Sequence, residues 1–154
     1  MKNKLLIILL ILSFLGFVDA TYLTIIHYKH IIPPCTITHG CETVLSSKFA
    51  TIYGIPLALF GSVYFFTSVV LDILMFQNIN NVWLRKIFAL FNFSGLITSV
   101  ILLSLQFFVL KALCQYCLVT DIDLLLLFYF SVLFLKRSKQ REIIVDPERA
   151  VKTI

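Results

Sequence analysis

Residues 87–117 read IFALFNFSGLITSVILLSLQFFVLKALCQYC. The part from Ile87 to Leu110 contains no charged residue, and a helix that spans a bilayer needs about 20 mostly apolar residues. This stretch therefore predicts a membrane span that ends at Lys111. Cys114 and Cys117 follow, three residues apart, where the next apolar run begins. We therefore expect a pair of thiols at one edge of a membrane.

The composition of the whole chain favours a membrane protein. The 154 residues are 60% hydrophobic and 14% charged, whereas soluble domains carry about 25% charged residues. A soluble chain of this length has too little interior to bury so much apolar surface. The formal net charge is +5, but the basic residues cluster at the ends of apolar runs. They are better interpreted as topology signals than as a nucleic-acid surface, so no nucleic-acid partner is expected.

Four apolar runs are long enough to cross a bilayer. The predicted spans are residues 5–28, 52–76, 87–110 and 112–135. We therefore predict an all-α integral membrane protein, with a four-transmembrane-helix bundle over residues 1–135 and a charged cytoplasmic tail over residues 136–154. In the polar loop between the first two spans, the stretch from Cys41 to Phe49 is amphipathic. It predicts a short helix on the membrane surface.

The basic residues also predict the orientation, because loops on the cytoplasmic side carry an excess of lysine and arginine. One predicted side holds Lys2, Lys4, Arg85, Lys86, Lys136, Arg137, Lys139 and Arg141. The other side holds Lys29, Lys48 and Lys111. We therefore expect both termini in the cytoplasm and all four cysteines on the extracytoplasmic face, which in a prokaryote is the outer face of the plasma (inner) membrane. Disulfides form and persist on that side.

The N-terminus has a second interpretation. Lys2 and Lys4, the apolar run over residues 5–18 and the sequence Val18-Asp19-Ala20 together resemble a signal peptide with a cleavage site in residues 1–20. Apolar residues resume at residues 22–26, which makes the segment long enough to span and favours an uncleaved anchor. Cleavage would leave three helices and would keep the cysteines on the same side.

The Cys114-Gln-Tyr-Cys117 motif has the features of a reactive dithiol. We expect Cys114 in the first turn of the last span, three residues after Lys111. Unpaired N–H groups at a helix N-terminus stabilise a thiolate there and lower its pKa. Cys117 lies one turn deeper on the same helix face, which makes it the resolving partner and brings it closer to a lipid-soluble acceptor.

The other two cysteines, Cys35 and Cys41, lie in the first outer loop with five residues between them. This spacing suits a disulfide that closes a small loop, and Gly40 permits a tight approach. An exposed and mobile disulfide is labile, and it is suited to exchange. Two pairs of cysteines on one membrane face therefore make a redox function the leading hypothesis.

Two alternatives belong to a different functional class. The first is a non-enzymatic membrane protein in which the four cysteines form two structural disulfides. The second is a metal site, for which the candidate ligands are Cys35, His39, Cys41, Cys114 and Cys117. Because Cys-x3-His-x-Cys is not a usual spacing for structural zinc, we predict no metal.

The motifs together resemble the vitamin K epoxide reductase family, in its prokaryotic disulfide-forming branch. The resemblance covers nearly all of residues 5–135. The motifs that carry it are DATYLTIIHY from Asp19, then Cys35-x5-Cys41 followed by ETVLSSKFATIYGIP, and Cys114-Gln-Tyr-Cys117. It implies a four-helix bundle around a membrane quinone, either ubiquinone or menaquinone.

The resemblance also implies a role for each cysteine. Cys35 would receive electrons from a reduced thioredoxin-like periplasmic protein, and Cys41 would attack Cys114. Cys117 would face the quinone as the active thiolate. Ser47 matches the family's serine near the quinone head group, and its alternative role is an N-terminal cap for the second span.

The chain departs from the family pattern in two places. In the vertebrate enzymes a Thr-Tyr pair follows the second cysteine of the motif, whereas here Thr120 is followed by Asp121. This argues against vitamin K epoxide as the substrate. Some prokaryotic members carry a fused thioredoxin-like domain, but residues 136–154 are too few to form one. The thiol donor is therefore expected to act in trans.

Asp121 is a candidate in its own right. Cys114, Cys117 and Asp121 share one face of the predicted helix, and Asp121 would lie about 10 Å below Cys114. A carboxyl group inside a membrane is costly and often functional, so it could bind the quinone or deliver a proton. The alternative is a hydrogen bond to Ser99 or Gln106 of the third span.

A second, unrelated family of four-helix quinone-linked oxidases acts in the bacterial disulfide pathway and would catalyse the same net reaction. There the CxxC motif lies in the first outer loop and the wider pair lies in the second. The order is reversed here, because Cys35 and Cys41 come first and Cys114 and Cys117 open the last span. The order therefore favours the vitamin K epoxide reductase family.

Overall fold

The structure is a computed structural model that describes residues 2–31, 33, 35, 40–78 and 81–145. The helices are α1 (Lys2–Tyr28), α2 (Cys41–Leu45), α3 (Leu57–Gln77), α4 (Val82–Ser104) and α5 (Gln115–Val145). A 3-10 helix (Lys48–Ala50), the strands β1 (Thr51–Ile52) and β2 (Ile55–Pro56), and a π-helix (Leu105–Leu110) complete the described elements.

Four of the helical segments are long and apolar enough to cross a membrane. They are Lys4–Tyr28, Leu57–Gln77, Val82–Leu110 and Gln115–Arg137. This confirms the predicted all-α fold with four membrane-spanning helices, and the chain is a multi-pass membrane protein. The short amphipathic helix predicted in the first loop is present as α2, in which Cys41 and Val44 are buried and Glu42 is exposed.

Helix α1 holds the bundle together, because it packs most extensively against α3 and also against α5. Helix α5 in turn packs against α4. The side chains of Leu9, Phe65 and Leu127 are buried between these helices, whereas apolar side chains such as Phe14 and Phe66 are exposed. Exposed apolar side chains suit a bundle whose outer surface meets lipid rather than water.

Hydroxyl and carboxyl groups fix the register between α1 and α3. Ser13 Oγ donates to Asp72 Oδ2 at 2.7 Å and lies 3.0 Å from Ser68 Oγ. In the next turns, Gly16 lets the helices approach so closely that a Cβ at this position would overlap the ring of Phe65. Small residues and interhelical hydrogen bonds are the usual means of holding helices together in lipid.

The predicted start of the second span at residue 52 is wrong. Residues 51–56 form a β-hairpin, and α3 begins at Leu57. The two turn residues, Tyr53 and Gly54, have φ angles of 51° and 82°, as a type I′ hairpin turn requires. Pro56 then precedes the helix in an extended conformation, so the bundle on this side is capped by a hairpin rather than by a longer helix.

The junction between the third and fourth spans also differs from the prediction. Lys111 adopts a left-handed conformation with φ 48°, and α5 begins only at Gln115. The prediction that Cys114 lies in the first turn of the last span is therefore wrong. Cys114 directly precedes α5, and its carbonyl oxygen accepts from the N–H of Leu118 at 2.9 Å. At its other end α5 continues to Val145, through the first half of the predicted tail. Residues 146–154 lie outside the described residues.

Candidate active site

The four cysteines meet at one end of the bundle, which we call the cysteine end. Cys41 and Cys114 are 1% and 0% exposed and belong to one buried cluster with Val44. Cys35 and Cys117 pack against this cluster and are partly exposed. The structure therefore brings together the two pairs that are far apart in the sequence.

The two pairs are in different redox states. Cys35 and Cys41 form the predicted disulfide, with their Cα atoms 6.0 Å apart, within the usual range for a disulfide. Cys114 and Cys117 are free thiols. The cysteine end therefore holds one disulfide and one pair of free thiols.

The metal alternative gains no support from the described part of the chain. No group of three or more histidine, cysteine or acidic side chains there is arranged to hold a metal ion. His39, which belonged to the proposed ligand set, lies outside the described residues.

The loop that carries the disulfide lies directly on the loop that carries Cys114. A Cβ at Gly40 would lie 2.6 Å and 2.7 Å from the backbone oxygen and nitrogen of Leu113. Such distances are too short for any side chain, so only glycine permits this approach. The residue before Cys41 therefore contacts the residue before Cys114, and we call the segment Gly40–Ala50 the lid.

The thiol of Cys114 is set up to ionise. The thiol of Cys117 donates a hydrogen bond to it, and the main-chain N–H groups of Cys117 and Tyr116 do so as well; the Cys117 nitrogen lies 3.4 Å from Cys114 Sγ. Burial opposes these contacts, but together they lower the pKa of Cys114 to about 7. This agrees with the thiolate expected for a cysteine at a helix N-terminus.

An apolar cavity of about 130 Å³ lies below the lid, between α1, α3, the π-helix and α5. Its polar lining residues are His27, Ser47, Gln106, Cys117, Thr120 and Asp121. An apolar cavity of roughly 150 Å³ admits a benzene ring, so this cavity has the scale of one aromatic ring. Cys117 lines it and Cys114 does not. The two thiols therefore face different surroundings, Cys114 the lid cluster and Cys117 the cavity.

Ser47 lines the cavity from the lid. Its hydroxyl donates to the carbonyl oxygen of Val44 at 2.7 Å. The alternative role as an N-cap of the second span is wrong, because Pro56 precedes α3. Ser47 stands instead before the 3-10 helix, where it makes no side-chain capping bond.

Asp121 also lines the cavity, and it is 2% exposed. Both alternative partners contact it: Gln106 Nε2 donates to its Oδ2 at 3.3 Å, and Ser99 Oγ donates to its main-chain oxygen at 3.4 Å. Its Oδ1 is buried without a hydrogen-bond partner among the described residues. A buried oxygen of this kind calls for a ligand or water, so Asp121 retains a free acceptor.

From the sequence, Gln106 is expected only as a possible partner of Asp121, and its contact with Cys114 was not foreseen. It is 3% exposed, and its Oε1 accepts from the N–H of Cys114 at 3.1 Å while its Nε2 donates to Asp121. Its position within the π-helix makes both contacts possible, and π-helical turns occur frequently at functional sites. The available signal was an amide in an apolar span, which is costly unless it is hydrogen-bonded.

A second missed link joins α1 to α5 beside the cavity. Thr120 Oγ1 donates to Asp19 Oδ2 at 2.6 Å. Asp19 belongs to the DATYLTIIHY motif, and Thr120 precedes Asp121. This hydrogen bond fixes the position of Thr120 along the helix axis relative to α1, and Asp121 is fixed with it because it is the next residue.

We expect the reactivity of Cys114 to titrate near neutral pH. With Cys35–Cys41 oxidised, the rate at which a small thiosulfonate modifies Cys114 should rise between about pH 6 and 8, because the thiolate is the reactive form. A Cys117→Ala variant loses the donor thiol, so its curve should move to higher pH. An unshifted curve in that variant, measured by mass spectrometry of the modified peptide, would contradict the assigned cause.

A Gln106→Leu variant should loosen the loop before α5. It leaves the Cys114 N–H and one Asp121 oxygen without partners in a buried place, which costs about 1–3 kcal/mol for each group. The free energy of unfolding in mixed detergent micelles measures the loss. Ser99→Ala is the matched control, because it removes a contact to Asp121 and leaves Cys114 untouched. Equal effects of the two substitutions would contradict the role of Gln106.

Comparison with known proteins agrees with the motifs and with the geometry. No curated protein matches the chain. Residues 7–132 match the model of the vitamin K epoxide reductase family, a range that includes all four cysteines and the residues lining the cavity. Members of this family are oxidoreductases, which supports a redox role for the thiol pairs. Since the match covers well over half of the sequence, the chain belongs to the vitamin K epoxide reductase family.

Proposed function

We propose that the protein is a membrane thiol–disulfide oxidoreductase that passes electrons from a reduced thioredoxin-like protein to a membrane quinone. It would thereby regenerate the oxidant for disulfide-bond formation. One observation supports this most strongly: Cys117 lines a ring-sized apolar cavity, while its partner Cys114 is buried in one cluster with the lid cysteine Cys41. The CxxC pair thus adjoins both the source and the acceptor of the electrons.

The first step takes electrons from the donor at the lid. Cys35 is partly exposed and Cys41 is buried, so a thiolate of the donor attacks Cys35 Sγ and releases Cys41 as a thiolate. The donor's second thiol then attacks the donor's first sulfur, which is bonded to Cys35 in this mixed disulfide, and so frees Cys35. Two electrons have moved from the donor to the lid, and the donor leaves with a disulfide.

The second step moves the electron pair inward. The Cys41 thiolate attacks Cys114 in the oxidised CxxC pair and releases Cys117 as a thiolate at the cavity wall. Cys35 then attacks Cys41, which restores the lid disulfide and frees Cys114. This step ends with Cys35–Cys41 oxidised and Cys114 and Cys117 reduced.

The cavity residues fit a quinone, either ubiquinone or menaquinone. When bound, a quinone supplies a two-electron, two-proton acceptor. The apolar walls would hold its ring, and the hydroxyl of Ser47 and the free Oδ1 of Asp121 would orient its polar atoms. Cys117 supplies the sulfur that lines this space, and the lid residues Val44, Leu45 and Ser47 line it as well.

The orientation that we propose places the cysteine end outside the cytoplasm of a prokaryote, at its inner membrane. The basic residues Arg85, Lys86, Lys136 and Arg137 lie at the opposite ends of their helices from the cysteines, in line with the positive-inside rule. Both termini would then be cytoplasmic. The donor would be a separate periplasmic protein that meets the lid from the oxidising side.

We expect a Cys35→Ala variant to separate the two ends of the relay. It removes the sulfur that the protein donor attacks, so quinone reduction with a reduced thioredoxin-like donor should fall at least about 100-fold. A small membrane-permeant dithiol reduces Cys114–Cys117 directly and should keep its rate.

The matched control is Ser46→Ala, which removes an exposed lid hydroxyl bonded only to the carbonyl of Glu42. It should react at the wild-type rate with both donors. A full rate of Cys35→Ala with the protein donor would show that the lid disulfide is not the entry point for electrons.

A further inference from the structure

The ring-sized cavity shares a wall with a second cavity at the cysteine end. The second cavity has a volume of about 240 Å³, and His30, Glu42 and Ser46 line it beyond the shared wall. Three residues line both cavities: Leu23, His27 and Leu45. Of these three side chains, only that of His27 is ionisable.

Each of the two cavities that His27 lines is also lined by groups that can exchange protons. On the outer side His30 and Glu42 are exposed, so they are in contact with the aqueous phase. On the inner side Cys117 and Asp121 line the ring-sized cavity. Asp121 does not line the outer cavity, so it can hold a proton but cannot exchange it there directly.

The end of α1 holds His27 in this wall. The residue lies in the last turn of the helix, and its ring meets the ring of Tyr28 edge-on with centroids 6.1 Å apart. His30 adopts a left-handed conformation with φ 53° and donates its N–H to the carbonyl of His27 at 3.1 Å. The chain therefore turns back at His30, and His27 remains at the boundary between the two cavities.

The proposed relay separates electrons from protons. Each disulfide exchange carries an electron pair as a thiolate, and the protons of the donor's dithiol are released outside, near Cys35. Reduction of a quinone to a quinol consumes two electrons and two protons. The electrons come from Cys114 and Cys117 as these form a disulfide. The relay releases both cysteines as thiolates, so the proton that the Cys117 thiol holds and the second proton both have to enter the cavity by a separate route.

We propose that His27 is this route. As an imidazolium it donates a proton into the inner cavity, to the Cys117 thiolate or to the quinone oxygen, and it then takes another proton from the outer cavity, twice in each turnover. Two thiolates, one quinone and two protons thus give one disulfide and one quinol. The inference rests on the proposed quinone reduction, and it adds the residue that supplies the protons.

The test is single-turnover quinone reduction by protein reduced at Cys114 and Cys117, followed over a range of pH. In the wild type we expect the rate to increase toward low pH. In His27→Gln the rate should fall on the order of 100-fold, and this increase should disappear. The KM for quinone should not change, nor should thiol–disulfide exchange with the donor, which shows that the variant is folded. Ser46→Ala is the matched control, because Ser46 lines the outer cavity alone and its hydroxyl has no part in the proposed proton route, so this variant should keep the wild-type rate.

A His27→Ala variant adds a gain-of-function readout. The outer cavity is large enough to admit imidazole, so added imidazole should restore most of the lost rate. Two outcomes would overturn the role of His27. The first is an unchanged rate and pH profile in His27→Gln. The second is a lower rate that imidazole does not restore and that follows the wild-type pH profile. If the wild-type protein itself reduces no quinone, the proposed function fails as well, and the two failures are thereby distinguished.

Discussion

The cysteine end of this protein depends on the close approach of two stretches of backbone, one in the lid and one before α5. Gly40 lies so near Leu113 that a side chain cannot fit between them. This contact places Cys41 and Cys114 in one buried cluster, from which water is excluded. If the lid stood farther away, the loop disulfide and the CxxC pair would be separate features of a membrane protein, without a path between them.

The loop before α5 contacts the lid on one side and the side chain of Gln106 on the other. Gln106 accepts from the N–H of Cys114 and donates to Asp121, and it can do so because the third span ends in a π-helix. The same amide thus orients the peptide that carries the reactive thiol and a carboxylate of the cavity. A hydrogen bond from Thr120 to Asp19 joins this part of α5 to α1, and both helices line the cavity.

Much of this arrangement could be predicted from the sequence, for simple physical reasons. Uninterrupted apolar runs predict membrane spans, and the positions of the cysteines at the ends of those runs place both pairs on one face. The β-hairpin at residues 51–56 was missed because Ile52 and Ile55 extend the apolar run without a break. The hydrogen bond from the Cys114 N–H to Gln106 could not be predicted, because a π-helix is selected by tertiary contacts rather than by local sequence. The position of His27 between two cavities follows only from how the lid folds over α1.

The most direct test of the account is a single turnover without any thiol donor. Protein with Cys35–Cys41 oxidised and Cys114 and Cys117 reduced is mixed with a short-chain quinone, and quinol and free thiols are measured together. The account predicts one quinol per protein and the loss of both CxxC thiols to a Cys114–Cys117 disulfide, with Cys35–Cys41 unchanged. Thiols that survive in the presence of excess quinone, or quinol formed while Cys117 remains free, would contradict it.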